Sequence, residues 1–455
     1  MRENRKKTIR ISLLILILLL GIGYAALTAK LKVDGTVHID KATWDVHFEN
    51  VQVTEGSVEA NPTPTTNNVD TTSMTYTINF TKPGDYYEFT VDVVNDGTID
   101  AMVGLVTNNA YANASSTTPI TLPSYLTSTV TYENGSPINQ TNLLAKETSE
   151  KIKVRVEFKK DIQASDLPSS GDTTVVFKFK GNFKQADETA CPIPTTFADD
   201  DWDTIQCNVK QNPSSYPLGA EKTISMDIDG DNTDETYTLR VANNTTPSEC
   251  STTGFSQSAC GFVVEFTGII TLHYMNPTSN DTTNGNGSVG GWEYSDMRAY
   301  LNSGKYLEGE TGEVDYTNDG VYKKLPTELK KVIVKTTVVS GYNTVKDSSN
   351  FTTEDKLYLL SRREVFNKTG EGEDTAQDLT RQLDYYKEKK VSGTGTNSYT
   401  EKTYLPDSPY YQNLWWLRSM HSSANGHFNG VGWSGYSTSY TANNEYGVSP
   451  AFRIG

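Results

Sequence analysis

Histidine is scarce in this chain, with five among 455 residues. His38, His47, His273, His421 and His427 stand in no nucleophile or metal-binding motif, which removes the commonest histidine-based routes to general-base or zinc chemistry. Cysteine is nearly as rare: Cys191, Cys207, Cys250 and Cys260 are all there is, and no thiol follows Cys260. An even number in an exported chain permits two disulfides in any of three connectivities. We expect Cys250 to pair with Cys260 across the intervening loop, and Cys191 with Cys207. Positive charge is in deficit, with 40 Lys and Arg against 56 Asp and Glu and a formal net charge of −16. A nucleic-acid binder needs a basic face, so that class is excluded. Internal repeats are absent.

Long apolar runs are missing with one exception. Ile11 to Ala29 is apolar apart from Ser12, Tyr24 and Thr28, and Arg2, Arg5, Lys6, Lys7 and Arg10 precede it. This is the pattern of a secretory signal, just long enough to span a membrane if left uncleaved. The basic side stays cytoplasmic, which puts everything after Lys30 outside. Residues 1–30 are therefore expected to be a signal peptide or membrane anchor on an extracellular, cell-surface or membrane-anchored protein. No sorting motif precedes Ile454-Gly455, so cleavage and anchoring both stay open. The remaining length has room for two or three domains.

Residues 31–185 read as all-β. Phe89, Val91 and Val93 alternate with polar positions, as do Ile152, Val154, Val156 and Phe158, then Val175, Phe177 and Phe179. Period two means half-buried strands. Lys82-Pro83-Gly84-Asp85, Asn95-Asp96-Gly97, Asn134-Gly135 and Ser170-Gly171-Asp172 punctuate them as turns, and together they predict a β-sandwich stalk. Residues 186–199, with Pro192 and Pro194, read as a linker. From residue 200 the pattern is mixed α and β. Tyr237–Val241, Phe262–Phe266 and Lys356–Leu360 are strand-like. Ser295 is placed to N-cap a short helix, Pro326 opens another, and Ser361-Arg362-Arg363-Glu364 has capping-box spacing. Leu379, Leu383 and Tyr386 keep helical spacing.

Three constellations bear on function. Gly285, Gly287 and Gly290 satisfy a dinucleotide-loop pattern but follow a polar loop rather than a strand, so they read as a flexible loop. Asp227, Asp229, Asp231 and Glu235 alternate acids on a tight turn, where hard oxygen ligands converge as calcium requires. A solvated hairpin turn explains the same residues, and the balance tilts that way. The third is residues 421–446, built almost entirely from Ser, Asn, Gly, Tyr, Thr and His between two apolar flanks. Such residues dominate antibody-type binding loops. The flanks, Trp415, Trp416, Leu417, Val448, Pro450, Phe452 and Ile454, are the expected frame. Asn425, His427, Asn429, Trp433, Ser434, Tyr436, Ser437, Ser439, Tyr440, Asn443 and Asn444 are the expected exposed ligand-binding residues. Arg298, Arg418 and Arg453, each inside an apolar motif, are expected to be held by carboxylates or carbonyls.

Gly35-Thr36-Val37, Pro83-Gly84-Asp85 and Val94 to Ala101 resemble secreted matrix-fibre and camelysin-type proteins of Gram-positive bacteria. An unrelated immunoglobulin-like stalk accounts for these short turns equally well. Cys250 to Phe266, Gly290-Gly291-Trp292 with Met297-Arg298, Leu357 to Ser361, Trp415 to Ser419 and the Gly447 to Ile454 ending occur together in this order. They resemble an extracellular domain family of Firmicutes related in shape to C-type-lectin-like folds, among them formylglycine-generating enzymes and the variable proteins of diversity-generating retroelements. The resemblance spans roughly residues 200–455 and implies an α+β C-type-lectin-like domain. Formylglycine-generating enzymes need a cysteine pair in the second part of the domain, and this chain has none there. The resemblance carries a fold and not a function; display is expected from the composition of 421–446, and the likeness to retroelement-diversified proteins leaves that segment open to genetic diversification. Asn, Ser, Tyr and His are among the residues that adenine-directed mutagenesis of Asn codons produces. The expectation is an adhesin-like protein with a protein or glycan ligand on a host or bacterial surface. The alternative is a structural matrix or pilus-like subunit whose head mediates assembly. An enzyme comes last.

Overall fold

Alternating apolar and polar side chains dictate the first half of the structure. The computed structural model describes residues 42–61, 72–163, 166–167, 173–277, 291–308, 312–341, 350–367, 379–404, 413–421 and 426–455. The expected signal or anchor, the Ser170-Gly171-Asp172 turn and the Gly285–Gly290 loop lie outside them. No helix among the described residues is long and apolar enough to cross a membrane. Met1–Thr43 and Trp44–Gly455 are separate units, and every described strand and helix belongs to the second.

Its strands begin with β1 (Val46–Val53), β2 (Ala60–Asn61), β3 (Ser73–Phe80), β4 (Tyr86–Asn95), β5 (Ala101–Tyr111), β6 (Leu126–Tyr132), β7 (Leu143–Leu144), β8 (Thr148–Phe158) and β9 (Thr173–Gln185). They form two antiparallel sheets, β1-β4-β8-β6 and β2-β3-β9-β5-β7. The predicted alternation holds: Phe89, Val91, Val93, Ile152, Val154, Val156, Phe177 and Phe179 all point into one core shared by the two sheets. Tyr76 stacks on Phe177 with centroids 5.8 Å apart and meets Phe89 edge-on at 5.5 Å. This is a β-sandwich. The turn between β3 and β4 is tied by Asp85, whose carboxylate accepts from the Thr81 N–H at 2.9 Å, the Thr81 hydroxyl at 2.8 Å and the Lys82 N–H at 3.0 Å.

The expected linker is a packed joint. The Cys191 N–H donates to Thr141 O and the Leu143 N–H to Cys191 O, so this segment runs beside β7. Cys191 is bonded to Cys207 on helix α1 (Trp202–Gln211). Asn139 and Asn142 from the sandwich each donate to the buried Asn208 Oδ1 of α1 at 3.1 Å, and Asn208 Nδ2 donates to Pro192 O at 2.9 Å. Buried amides must be paired, and here each half supplies the other's partners. Phe197 then packs against Trp202, Tyr216 and Phe262.

Beyond the joint come β10 (Glu221–Met226), β11 (Glu235–Thr245), β12 (Gly261–Phe266), β13 (Thr271–His273), α2 (Asp296–Leu301), β14 (Lys305–Glu308), β15 (Gly312–Asp315), α3 (Val321–Lys324), α4 (Thr327–Val332), β16 (Ile333–Val334), β17 (Thr336–Gly341), β18 (Asn350–Asp355) and β19 (Tyr358–Leu359). The last elements are α5 (Arg362–Phe366), α6 (Asp384–Glu388), β20 (Trp415–Met420), β21 (His427–Val431), β22 (Ser437–Thr441), β23 (Tyr446–Val448) and β24 (Pro450–Ile454). Two sheets organise them, β10-β11-β12-β24-β16 and β13-β23-β20-β21-β22. The second bridge, Cys250–Cys260, closes the loop before β12. Helix starts follow the sequence signals: Ser295 caps α2 and the Ser361/Glu364 capping box opens α5. Leu379 departs from expectation. It precedes α6, which begins after Leu383, and is partly exposed.

Buried ion pairs lash the irregular parts of this half together. Arg418 and Glu364 are both fully buried and meet twice, at 2.5 and 2.7 Å. Glu265 takes Arg240 at 2.7 Å and Lys402 at 2.9 Å, and Arg298 meets Asp355 at 2.7 Å. Arg453 breaks the expected pattern: its buried Nε has no hydrogen-bond partner among the described residues. Its guanidinium instead lies against Gly261, where an added Cβ would sit 3.2 Å from Nη2.

Candidate ligand-binding face

The frame is as expected, with Trp415, Trp416, Leu417, Val448, Pro450, Phe452 and Ile454 all buried. The polar segment between its flanks divides in two. β21 is core: Phe428, Asn429, Gly430 and Val431 are buried. Asn429 is therefore not a surface residue. Its amide donates to Ser419 O at 3.2 Å and Met420 O at 3.1 Å, filling the irregularity where β20 and β21 shift register. Ser434 is also buried, because the turn that carries it locks onto residues 397–400. The Asn397 N–H donates to Ser434 O at 2.9 Å and Thr400 Oγ1 to Gly435 O at 2.6 Å. A Cβ on Gly435 would lie 1.9 Å from Asn397 O, so only glycine fits there. Asn425 lies outside the described residues.

The remaining expected residues reach solvent. β22 ends its sheet, and Ser437, Ser439 and Tyr440 on it are half-buried. Trp433 is 53% exposed at the β21–β22 turn, Tyr436 is half-buried beside it, and Asn443 and Asn444 are exposed between β22 and β23. His427 is half-buried, its ring 6.5 Å from that of His421. Ser437 accepts from Arg362 Nε at 2.6 Å, and Asn444 donates to Thr441 Oγ1 at 2.8 Å.

Tyr440 belongs to an aromatic tract that sequence reading missed. Its ring covers Gly430, where a Cβ would approach it to 3.1 Å, and lies 4.6 Å from Tyr446 and 6.0 Å from Trp416. Tyr446 pairs in register with His273 on β13. The His273 ring stacks on Tyr274 at 4.5 Å and on Tyr300 at 4.2 Å, with Tyr316 edge-on at 5.9 Å. Asp296 anchors this end: it is fully buried, meets His273 Nε2 at 2.7 Å, and accepts from the Tyr316 hydroxyl at 2.9 and 3.0 Å. Tyr274, Tyr300, Tyr316 and Tyr446 are all half-buried. Burial, with Tyr436 nearby, pushes the Tyr440 hydroxyl up to about 12, while burial and then Asp296 hold Tyr316 well above the usual range. Both remain neutral hydrogen-bonding phenols near neutral pH. The one local clue was the Asp296/Tyr300 spacing, which puts both on one helical face. His273 and Asp296 form a dyad, yet no Ser, Thr or Cys side chain hydrogen-bonds His273 among the described residues. The pair orders the aromatic tract.

The acidic turn joins β10 to β11, as the hairpin reading requires. Asp227, Asp229 and Glu235 bring carboxylate oxygens within 4.8 Å of one another, and Asp231 falls outside this group. The Asp231 carboxylate instead accepts from the Thr233 N–H at 2.7 Å. Asp227 is likewise engaged, by the N–H groups of Gly230 at 2.6 Å and Asn232 at 2.9 Å.

A family model described as "Domain of unknown function (DUF6273)" matches residues 268–455. The match begins just after β12, so it includes the aromatic tract and the whole β13-β23-β20-β21-β22 sheet but leaves out the sandwich and β10 to β12. No curated protein matches the chain.

Proposed function

We propose that this is an exported cell-surface protein whose C-terminal half is a lectin-like scaffold. It captures a protein or glycan ligand at the edge formed by β22, the Trp433 turn and the Asn443-Asn444 turn. The observation that carries the reading is the contrast within residues 421–446: β21 is buried as core while Trp433, Asn443 and Asn444 stand exposed on a frame of buried tryptophans. Rigid aromatic and small polar side chains on fixed backbone lose little entropy on binding. The basic and apolar N-terminus supports export, and two disulfides fit an oxidising compartment. If the segment is diversified, variation belongs at Trp433, Tyr436, Ser439, Asn443 and Asn444 and not at Asn429.

The test is binding of the intact protein to a glycan array and to whole bacterial and epithelial cells. Trp433→Ala and Ser439→Arg are expected to abolish the strongest signals while leaving the melting temperature in place. Signals that survive both substitutions would sink the reading. Among the described residues no strand pairs with the outer edge of β1, which favours a second one, a subunit that assembles by strand pairing. Concentration-dependent polymers in sedimentation, with no ligand captured, would select it.

A further inference from the structure

Where the sandwich meets the joint, a pocket of about 500 Å³ is lined by Tyr132, Leu143, Ala145 and Glu150 of the sandwich and by Pro192 and Ile193 of the joint. The joint wall is fixed, since it follows directly on Cys191, which is bonded to Cys207 of α1. Glu150 is set apart by where β8 puts it. It shares a face with Ile152, Val154 and Val156 and pairs in register with Val93, all of them in the sandwich core. Period two thus gives a carboxylate the place of the next inward-facing apolar residue. The side chain is half-buried, and no hydrogen bond or ion pair reaches its carboxylate among the described residues. The donors around it are spent elsewhere. The Tyr132 hydroxyl goes to Asn142 Oδ1 at 3.2 Å, that of Thr148 to Ala145 O at 2.6 Å and that of Thr195 to Asp200. Lys151, the one cation lining the pocket, is engaged by Glu133 at 3.7 Å. Burial, with nothing opposing it, raises the Glu150 carboxyl above its ordinary 4.5. A partly buried charge is costly without a partner, and the pocket's own lining supplies none.

We propose that this pocket binds an organic cation, a primary ammonium on a short aliphatic stem, with the ammonium on Glu150 and the stem against Leu143, Ala145 and Ile193. An ammonium on a carboxylate makes short, charge-assisted hydrogen bonds. An aliphatic stem lies readily along apolar surface while its charged head keeps a polar partner. A lysine side chain of a peptide and a free diamine carry the same chemistry. This site is independent of the β22 edge, and its failure would leave that reading intact.

The experiment is isothermal titration of the intact protein with putrescine and, separately, N-acetyl-lysine methylamide at constant ionic strength and neutral pH. Saturable binding is expected, weakened about tenfold or more by Glu150→Gln, which keeps the side chain's shape and removes its charge. Glu55→Gln makes the same change of net charge at an exposed position beside Tyr86, at the other end of β4, and should leave binding unchanged. Tighter binding of the blocked lysine identifies a peptide side chain as the ligand, and tighter binding of putrescine a free diamine. No saturable binding of either up to ~50 mM, beyond even very weak affinity, overturns the proposal. So does binding that survives Glu150→Gln undiminished, or that Glu55→Gln weakens equally, which would reduce the effect to bulk charge.

Discussion

In the sandwich, Arg155 lies on the outer face of β8, bridging Glu88 at 3.1 Å and Glu157 at 2.9 Å with all three side chains in reach of water. In the C-terminal half, Arg418 meets Glu364 at a similar distance with neither side chain exposed at all. The chemistry is the same and the surroundings are opposite. The sandwich has long strands whose alternation fills its core with apolar groups, so charge can stay outside. The C-terminal half has short strands and long irregular connections, and its loops are fixed by charges brought inside. A surface pair contributes little, because water competes for both partners. A buried pair is costly to break, because the survivor is stranded without solvent.

The largest expected effect comes from that contrast. Glu364→Gln should destabilise the protein by ~3–5 kcal/mol, whereas Glu88→Gln should cost under ~1 kcal/mol. Denaturant unfolding checks both, and equal costs would erase the distinction. Acid should then strike the C-terminal half selectively. Burial alone would raise the Glu265 carboxyl, but Lys402 and Arg240 draw it down to about 2 from the usual 4.5. Its folded pKa is depressed, so its contribution is complete above about pH 4.5 and is lost as pH falls toward 2. The whole effect is of order 3 kcal/mol. Tryptophan fluorescence reports it, since Trp292, Trp415 and Trp416 are all buried in this half. On the alkaline side, burial lowers Lys402 to about 8 against Glu265's opposing pull. Between pH 8 and 10 the unfolded chain binds more protons at this site, so its contribution to stability rises with pH. The smallest effects separate the two parts of 421–446. Asn429→Ala should cost ~1–3 kcal/mol by stranding the carbonyls of Ser419 and Met420, and Ser439→Ala under ~0.5 kcal/mol.

The strands of the sandwich were legible because period-two patterning is a local signal, and Phe89, Val91 and Val93 carry it without help from elsewhere. The same holds for caps: Ser295 and Ser361 act within three residues of themselves. Both disulfides match the expected pairing. The buried hubs were not legible, because Glu265 draws on Arg240 and Lys402 from distant segments and nothing in their own neighbourhoods marks the convergence. Asn429 misled for a related reason: in a run of Ser, Gly and Asn, composition cannot distinguish an amide that faces solvent from one that plugs a break in strand pairing. The aromatic tract was hidden likewise, since His273, Tyr316 and Tyr446 meet only through the pairing of β13 with β23 and the placement of α2.

The joint between the halves has a consequence for how such a chain can be cut or recombined. Its sealing groups are divided between the partners: Asn139, Asn142 and Cys191 on one side, Asn208 and Cys207 on the other. A boundary drawn at residue 185 or 200 would part Asn139 and Asn142 from Asn208, and one at 200 would also separate Cys191 from Cys207. Neither half is a self-contained cassette. An exchange of modules between relatives would have to carry α1 along with the sandwich loops that grip it, and a truncated stalk made for study should include residues to at least Gln211.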